Sequence, residues 1–255
     1  MADDNGVTLS VVSHAQWCLI QKLLRDLVEV PKSSAVSLER IVITHNLGTV
    51  EPLLPVALVD RCHVIVNSQP KGFGANHNAA FFHCDTEWFA VVNPDIRMAG
   101  DVFVQLIAQA APEDVLLVPA LVDPRTGQGA PNRGLLTPWE VVRRRLPGWR
   151  PPAEPAWFPG AFLLIRATAF RQVGGFDERF YLYAEDVDLC ARLRLAGGRL
   201  RYVPHVQVSH AAQRSSHVRW RYLRWHVASL LRLWMSGAFW RYRALLRKEA
   251  RARAD

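Results

Sequence analysis

Residues 88–98 read WFAVVNPDIRM, an apolar β-branched and aromatic run that ends in Asn93, Pro94 and Asp95. A short apolar run bounded by turn residues is typical of a strand buried on both faces of a sheet. Pro94 stops the strand and fixes the backbone, so Asp95 is predicted to project beyond the sheet edge. A carboxylate there can hold a divalent cation that neutralises a diphosphate. A plain turn is the alternative, because all three residues favour turns.

Strand-like and helix-like segments alternate on both sides of this stretch. The predicted strands are 7–13, 40–44, 63–66, 115–119, 160–166 and 201–208, and the predicted helices are 17–28, 75–82, 101–110, 139–145 and 185–195. The alternation predicts an α/β fold with a mostly parallel sheet flanked by helices. Residues 123–159, rich in Pro, Gly and Arg, interrupt it. We expect an active-site or acceptor loop there, since irregular stretches of this length are usually functional or mobile.

Polar residues follow several of the predicted strands. They are Ser13 and His14, His45 and Asn46, the turn at 72–78, and the 93–95 segment. Ligands of open α/β sheets bind outside the carboxyl ends of the strands. We therefore expect these positions to converge on one edge of the sheet and form a pocket.

The segment GFGANHN at 72–78 is predicted to be a glycine turn that opens a helix. Gly72 and Gly74 let the backbone approach a ligand closely, and the N–H groups of a helix N-terminus favour anions. The segment lacks the GxGxxG spacing and a Walker lysine, so neither dinucleotide nor ATP binding is predicted. A plain strand-to-helix turn would use the same glycines.

Glu185, Asp186 and Asp188 begin a predicted helix. Acidic residues in a first helical turn commonly cap the helix and complement its dipole. Three carboxylates in four positions also repel one another, so one of them could have the raised pKa that a general base requires. His210 follows the last predicted strand of the domain. It is a structural histidine or a metal ligand, depending on whether Asp95 lies nearby.

The net charge of +8 is carried by the C-terminal region. Residues 214–255 hold eleven Arg or Lys against two acidic residues, whereas the rest of the chain holds 20 basic and 21 acidic residues. The helical spacing places one apolar stripe, with arginines beside it, at Leu223, Val227, Leu230, Leu231 and Trp234. This pattern favours an interfacial helix on anionic lipid. Packing of the stripe on the domain core is the alternative, and nucleic acid is disfavoured because no recognised binding motif is present.

The N-terminal residues, the lengths of the apolar runs and the cysteines together indicate a protein of a reducing compartment. Residues 1–6 contain Asp3 and Asp4 and no apolar core, so a secretory signal is not expected. No apolar run reaches the roughly 18 residues of a spanning helix. The four cysteines form no CxxC pair, which indicates neither zinc nor a disulfide framework. The expected location is cytoplasmic, peripheral on the inner face of the cell membrane.

Five motifs in order resemble family-2 glycosyltransferases with the GT-A fold, especially the rhamnosyltransferase-like branch. They are GFGANHNAA, VVNPDIRM, FPGAFLLIR, GGFDERFYLYAEDVDLCARLRLAGG and VPHVQVSH. The resemblance covers about residues 7–215. It implies a GT-A glycosyltransferase domain at 1–215, followed by a basic amphipathic helical tail at 216–255.

The resemblance also implies a role for each matched position. Asp95 stands where the last Asp of the DxD motif binds Mg²⁺ or Mn²⁺ and the donor diphosphate, and Asn93 replaces the first Asp. Asp186 matches the general base, and His210 matches the His that completes the metal site. The implied donor side also includes Ser13, His45, Asn46, Gly72, Gly74, Asn76 and Asn78. The implied acceptor side includes Phe158, Gly160 and Glu185.

The chain departs from the family pattern at two strand ends. The first strand ends in Ser13, His14 and Ala15, where the family usually has a Ser-Tyr-Asn type of sequence. Residues 44–46 read Thr-His-Asn, where the family often has an Asp that contacts the nucleobase of the donor. These departures leave open a catalytically inactive nucleotide-sugar-binding or scaffolding protein of the same fold.

The function implied by the resemblance is inverting, metal-dependent transfer of a sugar to a hydroxyl. The donor is a nucleotide-diphospho-sugar, with dTDP-L-rhamnose suggested by the branch. The acceptor is a glycan or lipid-linked precursor of a bacterial surface polysaccharide such as O-antigen. The other expected partner is an anionic membrane surface bound by the tail, and no nucleic acid is expected. A nucleotidyltransferase is disfavoured because residues 9–15 offer no glycine-rich basic phosphate loop.

Overall fold

The computed structural model describes residues 6–29, 36–47, 53–211 and 220–253. The strands are β1 (Gly6–His14), β2 (Ser37–Leu47), β3 (Cys62–Val66), β4 (Trp88–Val92), β5 (Ile96–Met98), β6 (Asp114–Val122), β7 (Phe162–Arg166) and β8 (Arg199–His210). The helices are α1 (Trp17–Glu29), α2 (Phe73–Phe81), α3 (Val102–Ile107), α4 (Pro138–Arg143), α5 (Ala167–Gln172), α6 (Glu185–Leu195), α7 (Trp220–Met235) and α8 (Gly237–Ala252), with a 3-10 helix at Val56–Arg61.

The eight strands form a single sheet in the order β3-β2-β1-β4-β7-β6-β8-β5. The half from β3 to β4 is parallel, and β6 is parallel to β8. β7 lies antiparallel between β4 and β6, and β5 pairs antiparallel with β8. The α/β fold is confirmed, and its sheet is mixed. The strand β7 follows the long 123–159 loop. Because β7 runs antiparallel to its neighbours, it does not need the right-handed crossover connection that a parallel strand requires.

The sheet is buried on both faces, each against its own core. In β4, Trp88, Ala90 and Val92 face the core shared with α1 and α3. Phe89 and Val91 face the core shared with the other helices. A fully buried Leu or Phe side chain contributes about 1.5–3 kcal/mol, so these two cores make the sheet a rigid platform for the residues at its edge.

Two elements agree with the sequence prediction at both ends, and three were not predicted, namely β5, α5 and the 3-10 helix at Val56–Arg61. β4 and α6 begin and end at the predicted residues. β5, with three residues, and α5, with six residues, are too short to show a period in the sequence. The predicted segment 201–208 belongs to β8, a continuous strand of twelve residues.

The C-terminal helices α7 and α8 pack against the rest of the domain. The Trp234 Nε1–H donates to the Leu136 carbonyl at 2.7 Å, and Phe239 and Tyr242 are fully buried. Arg194 of α6 forms an ion pair with Glu249 of α8. Part of the surface of α7 and α8 therefore belongs to the domain core. The predicted boundary at residues 215 and 216 lies outside the described residues.

The predicted apolar stripe of α7 divides between core and surface. Leu230 is buried and Trp234 is half-buried, as expected for packing on the domain. Leu223, Val227 and Leu231 are each about half exposed, at 53%, 47% and 52%. Over the ranges that the structure describes, no helix is both long and apolar enough to cross a bilayer.

Candidate active site

Two neighbouring strands, β1 and β2, end side by side at the expected edge of the sheet. Ser13 and His45 are register partners, and both are buried. The Ser13 hydroxyl accepts a hydrogen bond from the Gln16 N–H at 3.0 Å, which fixes the turn into α1. The His45 ring stacks on Trp17 with centroids 5.4 Å apart, and its Nε2 is buried without a hydrogen-bond partner among the described residues. Burial lowers the pKa of His45, so a neutral imidazole with one unused nitrogen faces this edge.

Asn46 and Asn76 belong to a hydrogen-bond network that shapes the turn before α2. The Asn46 Oδ1 accepts from the Lys71 N–H at 2.7 Å and from Asn67 Nδ2 at 2.8 Å. Asn67 Nδ2 also donates to the Asn76 Oδ1 at 2.6 Å, and His14 Nε2 lies 3.1 Å from Asn46 Nδ2. The predicted positions 14, 46 and 76 are therefore brought together. The side chains of His14, Asn46 and Asn76 are engaged by protein atoms, so they position backbone around the predicted donor pocket.

Gly72 and Gly74 permit close packing between α2 and the 176–181 segment. A Cβ on Gly72 would lie 2.8 Å from the Tyr181 carbonyl oxygen, and one on Gly74 would lie 2.6 Å from Phe176 Cβ. Asn78 supports the same packing, because its Nδ2 donates to the Phe176 carbonyl and its Oδ1 accepts from the Phe176 N–H, both at 2.9 Å. This packing explains why Gly72, Gly74 and Asn78 stand at these positions. Their contact with a nucleotide-sugar donor stays a prediction.

Asp95 and His210, far apart in the sequence, meet where β4 turns into β5. Ile96 is the register partner of His210, and the His210 Nε2 lies 3.4 Å from the Asp95 Oδ2. The Asp95 Oδ1 is buried with no hydrogen-bond partner in the described part of the chain. A buried carboxylate oxygen without a partner is costly unless a cation or a donor reaches it.

The Asp95 and His210 pair fits a divalent cation. A carboxylate and an imidazole both occur among protein ligands of such metals, and carboxylate oxygen suits Mg²⁺ and Mn²⁺. Across the described ranges, no third His, Cys, Asp or Glu joins them in a metal-binding group. Water and diphosphate oxygens would have to supply the other ligands.

The backbone just before α6 is strained. Tyr183 and Ala184 have φ values of 73° and 65°, in the left-handed region that non-glycine residues rarely adopt. Each such residue costs on the order of 1–3 kcal/mol and persists only where the surrounding structure enforces it. Here the strain turns the chain so that Glu185 and Asp186 form the first turn of α6.

Asp186 and Glu185 differ in how their carboxyl groups are held. Asp186 is partly exposed and accepts hydrogen bonds from the Gly160 N–H at 3.1 Å and the Val187 N–H at 2.8 Å. Burial raises the pKa of Asp186, while these N–H groups and the charge of Arg133 oppose the rise. Glu185 is buried, and its Oε2 has no partner among the described residues.

Burial, and then the charge of Asp186, raises the pKa of Glu185 well above its usual range. The Gly160 and Val187 N–H groups stabilise the ionised form of Asp186, whereas the Oε2 of Glu185 has no donor among the described residues. An ionised carboxylate with a raised pKa at the sheet edge can act as a general base. The third acid of the predicted cluster, Asp188, has a structural role, since it is buried in an ion pair with Arg192 at 2.7 Å.

The backbone of two consecutive residues, Gly160 and Ala161, connects Asp186 with the turn that carries Asp95. The Gly160 N–H binds Asp186, and the Ala161 carbonyl accepts from the Asn93 N–H at 2.8 Å. Asn93 lies two residues before Asp95. Asp186 and the turn at 93–95 are thus held by one short stretch of chain just before β7.

Two of the three predicted acceptor-side residues, Phe158 and Gly160, lie on the same stretch, whereas Glu185 begins α6. Phe158 is buried in the second core, and its ring stacks on Tyr202 with centroids 6.0 Å apart. A Cβ on Gly160 would lie 3.0 Å from the Phe73 ring, so the position tolerates only close packing. Arg133 was missed by sequence reasoning, because the 123–159 segment has no periodicity to single it out.

Two family profiles match overlapping parts of the chain. A profile described as Glycosyl transferase family 2 matches residues 11–178, and one described as Glycosyl transferase family group 2 matches residues 147–248. The N-acetylglucosaminyl-diphospho-decaprenol L-rhamnosyltransferase of Mycobacterium tuberculosis (strain ATCC 25618 / H37Rv) is 37% identical over 147 residues, 49% of this chain and 47% of the relative. Rhamnosyltransferase WbbL of Escherichia coli (strain K12) is 43% identical over 77 residues, 30% of this chain and 29% of the relative. The matched part is less than half the length of either relative.

Solved structures share the GT-A fold with the chain. The mannosyltransferase PcManGT from Pyrobaculum calidifontis, solved with GDP-Man and Mn²⁺, has a TM-score of 0.59 at 18% identity, covering 89% of this chain and 64% of that protein. S. aureus TarS 1-349, solved with UDP-GlcNAc, has a TM-score of 0.59 at 14% identity, covering 84% of this chain and 60% of that protein. At these identities the likeness is one of fold.

Proposed function

We propose that this chain, which belongs to glycosyl transferase family 2, moves a sugar from a nucleotide-diphospho-sugar to an acceptor hydroxyl with inversion. The observation that carries the proposal is the link between Asp186 and the Asn93 to Asp95 turn through the backbone of Gly160 and Ala161. It supports a base and a diphosphate site held in a fixed relation, as a single displacement requires. A protein that only binds a nucleotide sugar has no need of such a base.

The proposed step is a direct displacement at the anomeric carbon. Asp186 accepts the proton of the acceptor hydroxyl while the acceptor oxygen bonds to the anomeric carbon and the bond from that carbon to the diphosphate oxygen breaks. The products are the glycoside and a nucleoside diphosphate. Asp95 and His210 would hold Mg²⁺ or Mn²⁺, which would supply positive charge against the departing diphosphate.

The similarity to two rhamnosyltransferases supports dTDP-L-rhamnose as the donor. One of these relatives is named for an acceptor in which N-acetylglucosamine is joined through a diphosphate to decaprenol. We therefore propose a lipid-linked glycan of bacterial surface polysaccharide synthesis, such as O-antigen synthesis, as the acceptor class.

Calorimetric titration of dTDP, UDP and GDP, with and without Mg²⁺ or Mn²⁺, tests the donor side. We expect metal-dependent binding of dTDP, at least about tenfold tighter than UDP or GDP, because a tenfold preference needs only about 1.4 kcal/mol of base contacts. Release of dTDP from dTDP-L-rhamnose on adding a lipid-linked acceptor would then show transfer. Preference for UDP or GDP would overturn the donor, and failure to bind any nucleotide would favour the inactive scaffold.

We further propose that α7 holds the domain on an anionic membrane surface. Its exposed apolar side chains recur every three or four residues and form an outward stripe of Trp220, Leu223, Val227, Leu231 and Met235. Trp220 is 81% and Met235 is 79% exposed, and the exposed Arg224 lies between them in the helix. An apolar face flanked by cations fits the interface of an anionic bilayer.

The position of α7 supports delivery of a membrane-bound acceptor. The Trp225 ring lies 4.6 Å from the Tyr181 ring, and the Ser229 hydroxyl donates to the Leu182 carbonyl at 2.8 Å. These contacts fix α7 to the segment that leads directly into Asp186. A bilayer touching the outward stripe would therefore lie close to the proposed base.

A triple variant tests this surface, with Leu223, Val227 and Leu231 each replaced by Gln. We expect its binding to phosphatidylglycerol vesicles, measured by sedimentation, to weaken about tenfold or more, because each lost apolar contact contributes on the order of 0.8 kcal/mol per CH₂ group. Metal-dependent nucleotide binding should be unchanged. The matched control replaces Leu53, Val56 and Phe82, which are exposed by 81%, 90% and 89%. Equal weakening in both variants, or none in the first, would contradict the proposal.

A further inference from the structure

Arg133 is held rigidly in the 123–159 loop. Its carbonyl accepts from the Ala156 N–H at 2.8 Å, and the Trp157 indole donates to the Gly134 carbonyl at 2.9 Å. These two bonds tie opposite sides of the loop together. The Arg133 guanidinium carbon lies 5.1 Å from the centroid of the Trp157 ring, over its face. Stacking of this kind orients a guanidinium plane while leaving its edge free to donate.

The guanidinium stands near the base and lacks an acidic partner. Among the described residues, no carboxylate lies within ion-pair distance of Arg133 or Arg144, whereas Arg143 pairs with Glu140 at 3.0 Å. Arg133 is close enough for its charge to oppose the rise in the pKa of Asp186. Burial, followed by the charge of Arg133, lowers the pKa of Arg144 while the charge of Glu140 opposes the fall, so the two half-buried guanidinium groups lie close enough to repel each other.

Two neighbouring half-buried guanidinium groups, neither with an ion-pair partner among the described residues, are an arrangement that an anion stabilises. Arginine suits phosphate best, because its planar fork can donate two parallel hydrogen bonds to phosphate oxygens. Arg133 stacks on Trp157, and Trp157 lies three residues before Gly160, whose N–H binds the proposed base Asp186. The proposed donor diphosphate site, Asp95 and His210, is built from different elements, at the ends of β4 and β8.

We propose that Arg133, supported by Arg144, binds the phosphate or diphosphate group of the acceptor and so sets which acceptors reach the base. This inference rests on the proposed function and names the part of the acceptor that the chain recognises. A bound anion would also cancel part of the positive charge of Arg133. The base would then gain proton affinity when the acceptor is in place.

Short prenyl probes test the anion site without any transfer. We expect the full chain, with saturating dTDP and Mg²⁺, to bind citronellyl diphosphate in calorimetry and to bind citronellol at least about tenfold more weakly. Arg133→Gln should weaken binding of citronellyl diphosphate about tenfold or more, because a charge-assisted hydrogen bond is removed. Arg133→Lys should recover part of the affinity, since it keeps the charge and loses the fork. Arg150→Gln, an exposed arginine of the same loop, is the matched control and should bind like the wild type.

Three results would overturn the acceptor site. They are equal losses in the Arg133→Gln and Arg150→Gln variants, competition between citronellyl diphosphate and dTDP, and tighter binding of inorganic pyrophosphate than of citronellyl diphosphate. The dTDP titration separates this inference from the proposed function. If wild type binds no nucleotide, the proposed function fails, and the effect of Arg133→Gln on citronellyl diphosphate alone still tests the anion site. An unchanged melting temperature in Arg133→Gln shows that the variant is folded.

Discussion

Asp186→Asn should lower the kcat of sugar transfer by about 10³-fold, while the affinity for the metal-bound nucleoside diphosphate stays within about twofold. A positioned general base contributes on the order of 10²–10⁴ to the rate, and an amide cannot accept the proton. The variant keeps an oxygen that can accept from the Gly160 N–H, so the start of β7 should stay in place. Steady-state release of the nucleoside diphosphate gives kcat, and calorimetry gives the affinity.

The control for this variant is Glu178→Gln. Glu178 is an exposed acid on the segment before α6, bonded to Asn78 at 3.0 Å, and its loss of charge should leave kcat within about twofold. A kcat in Asp186→Asn within tenfold of wild type would remove Asp186 from the role of base. Lost nucleotide binding in the same variant would indicate a structural role.

The pH dependence of the transfer rate should also identify Asp186 as the base. Burial raises the pKa of Asp186, and the charged form is the one that accepts a proton. The rate should therefore fall as the pH is lowered through this raised pKa, at higher pH than an ordinary aspartate would impose. The residual rate of Asp186→Asn should lack this acidic limb.

The sequence predicts local elements well where their pattern is continuous. β4 is recognisable because five apolar residues run without a break into a proline turn, and α6 because acids precede a regular apolar period. The pairing of Asp95 with His210 came from the family resemblance. No local pattern links two residues that meet only through the β5–β8 pairing.

Other features depend on tertiary contacts that the sequence does not express. Periodicity treats Leu223 and Leu230 alike, yet one is half exposed and the other is buried on the domain. Asn67 and Lys71 complete a network with Asn46 because a turn folds back on β2. Arg133 shows the same limit, since the fold alone places it over Trp157 and brings its charge to bear on Asp186.

Asp95→Ala should weaken metal-dependent binding of the nucleoside diphosphate about 100-fold and remove most of the difference between titrations with and without Mg²⁺. The Asp95 Oδ1 is buried without a partner, so the carboxylate can give a cation a charged ligand that alanine lacks. His210 alone cannot compensate, because hard cations prefer oxygen. Calorimetry with dTDP at matched ionic strength measures the loss.

Asn93→Ala is the matched control, since it truncates a side chain at the same strand end and keeps the N–H that binds the Ala161 carbonyl. Its metal-dependent affinity should fall less than about tenfold, because its amide is a neutral and weaker ligand than a carboxylate. Retention of full metal dependence in Asp95→Ala would move the cation elsewhere in the chain. Equal losses in both variants would mean that the turn is needed as a whole. Only a larger loss at Asp95 supports the buried oxygen of Asp95 as the ligand that distinguishes this turn from an ordinary one.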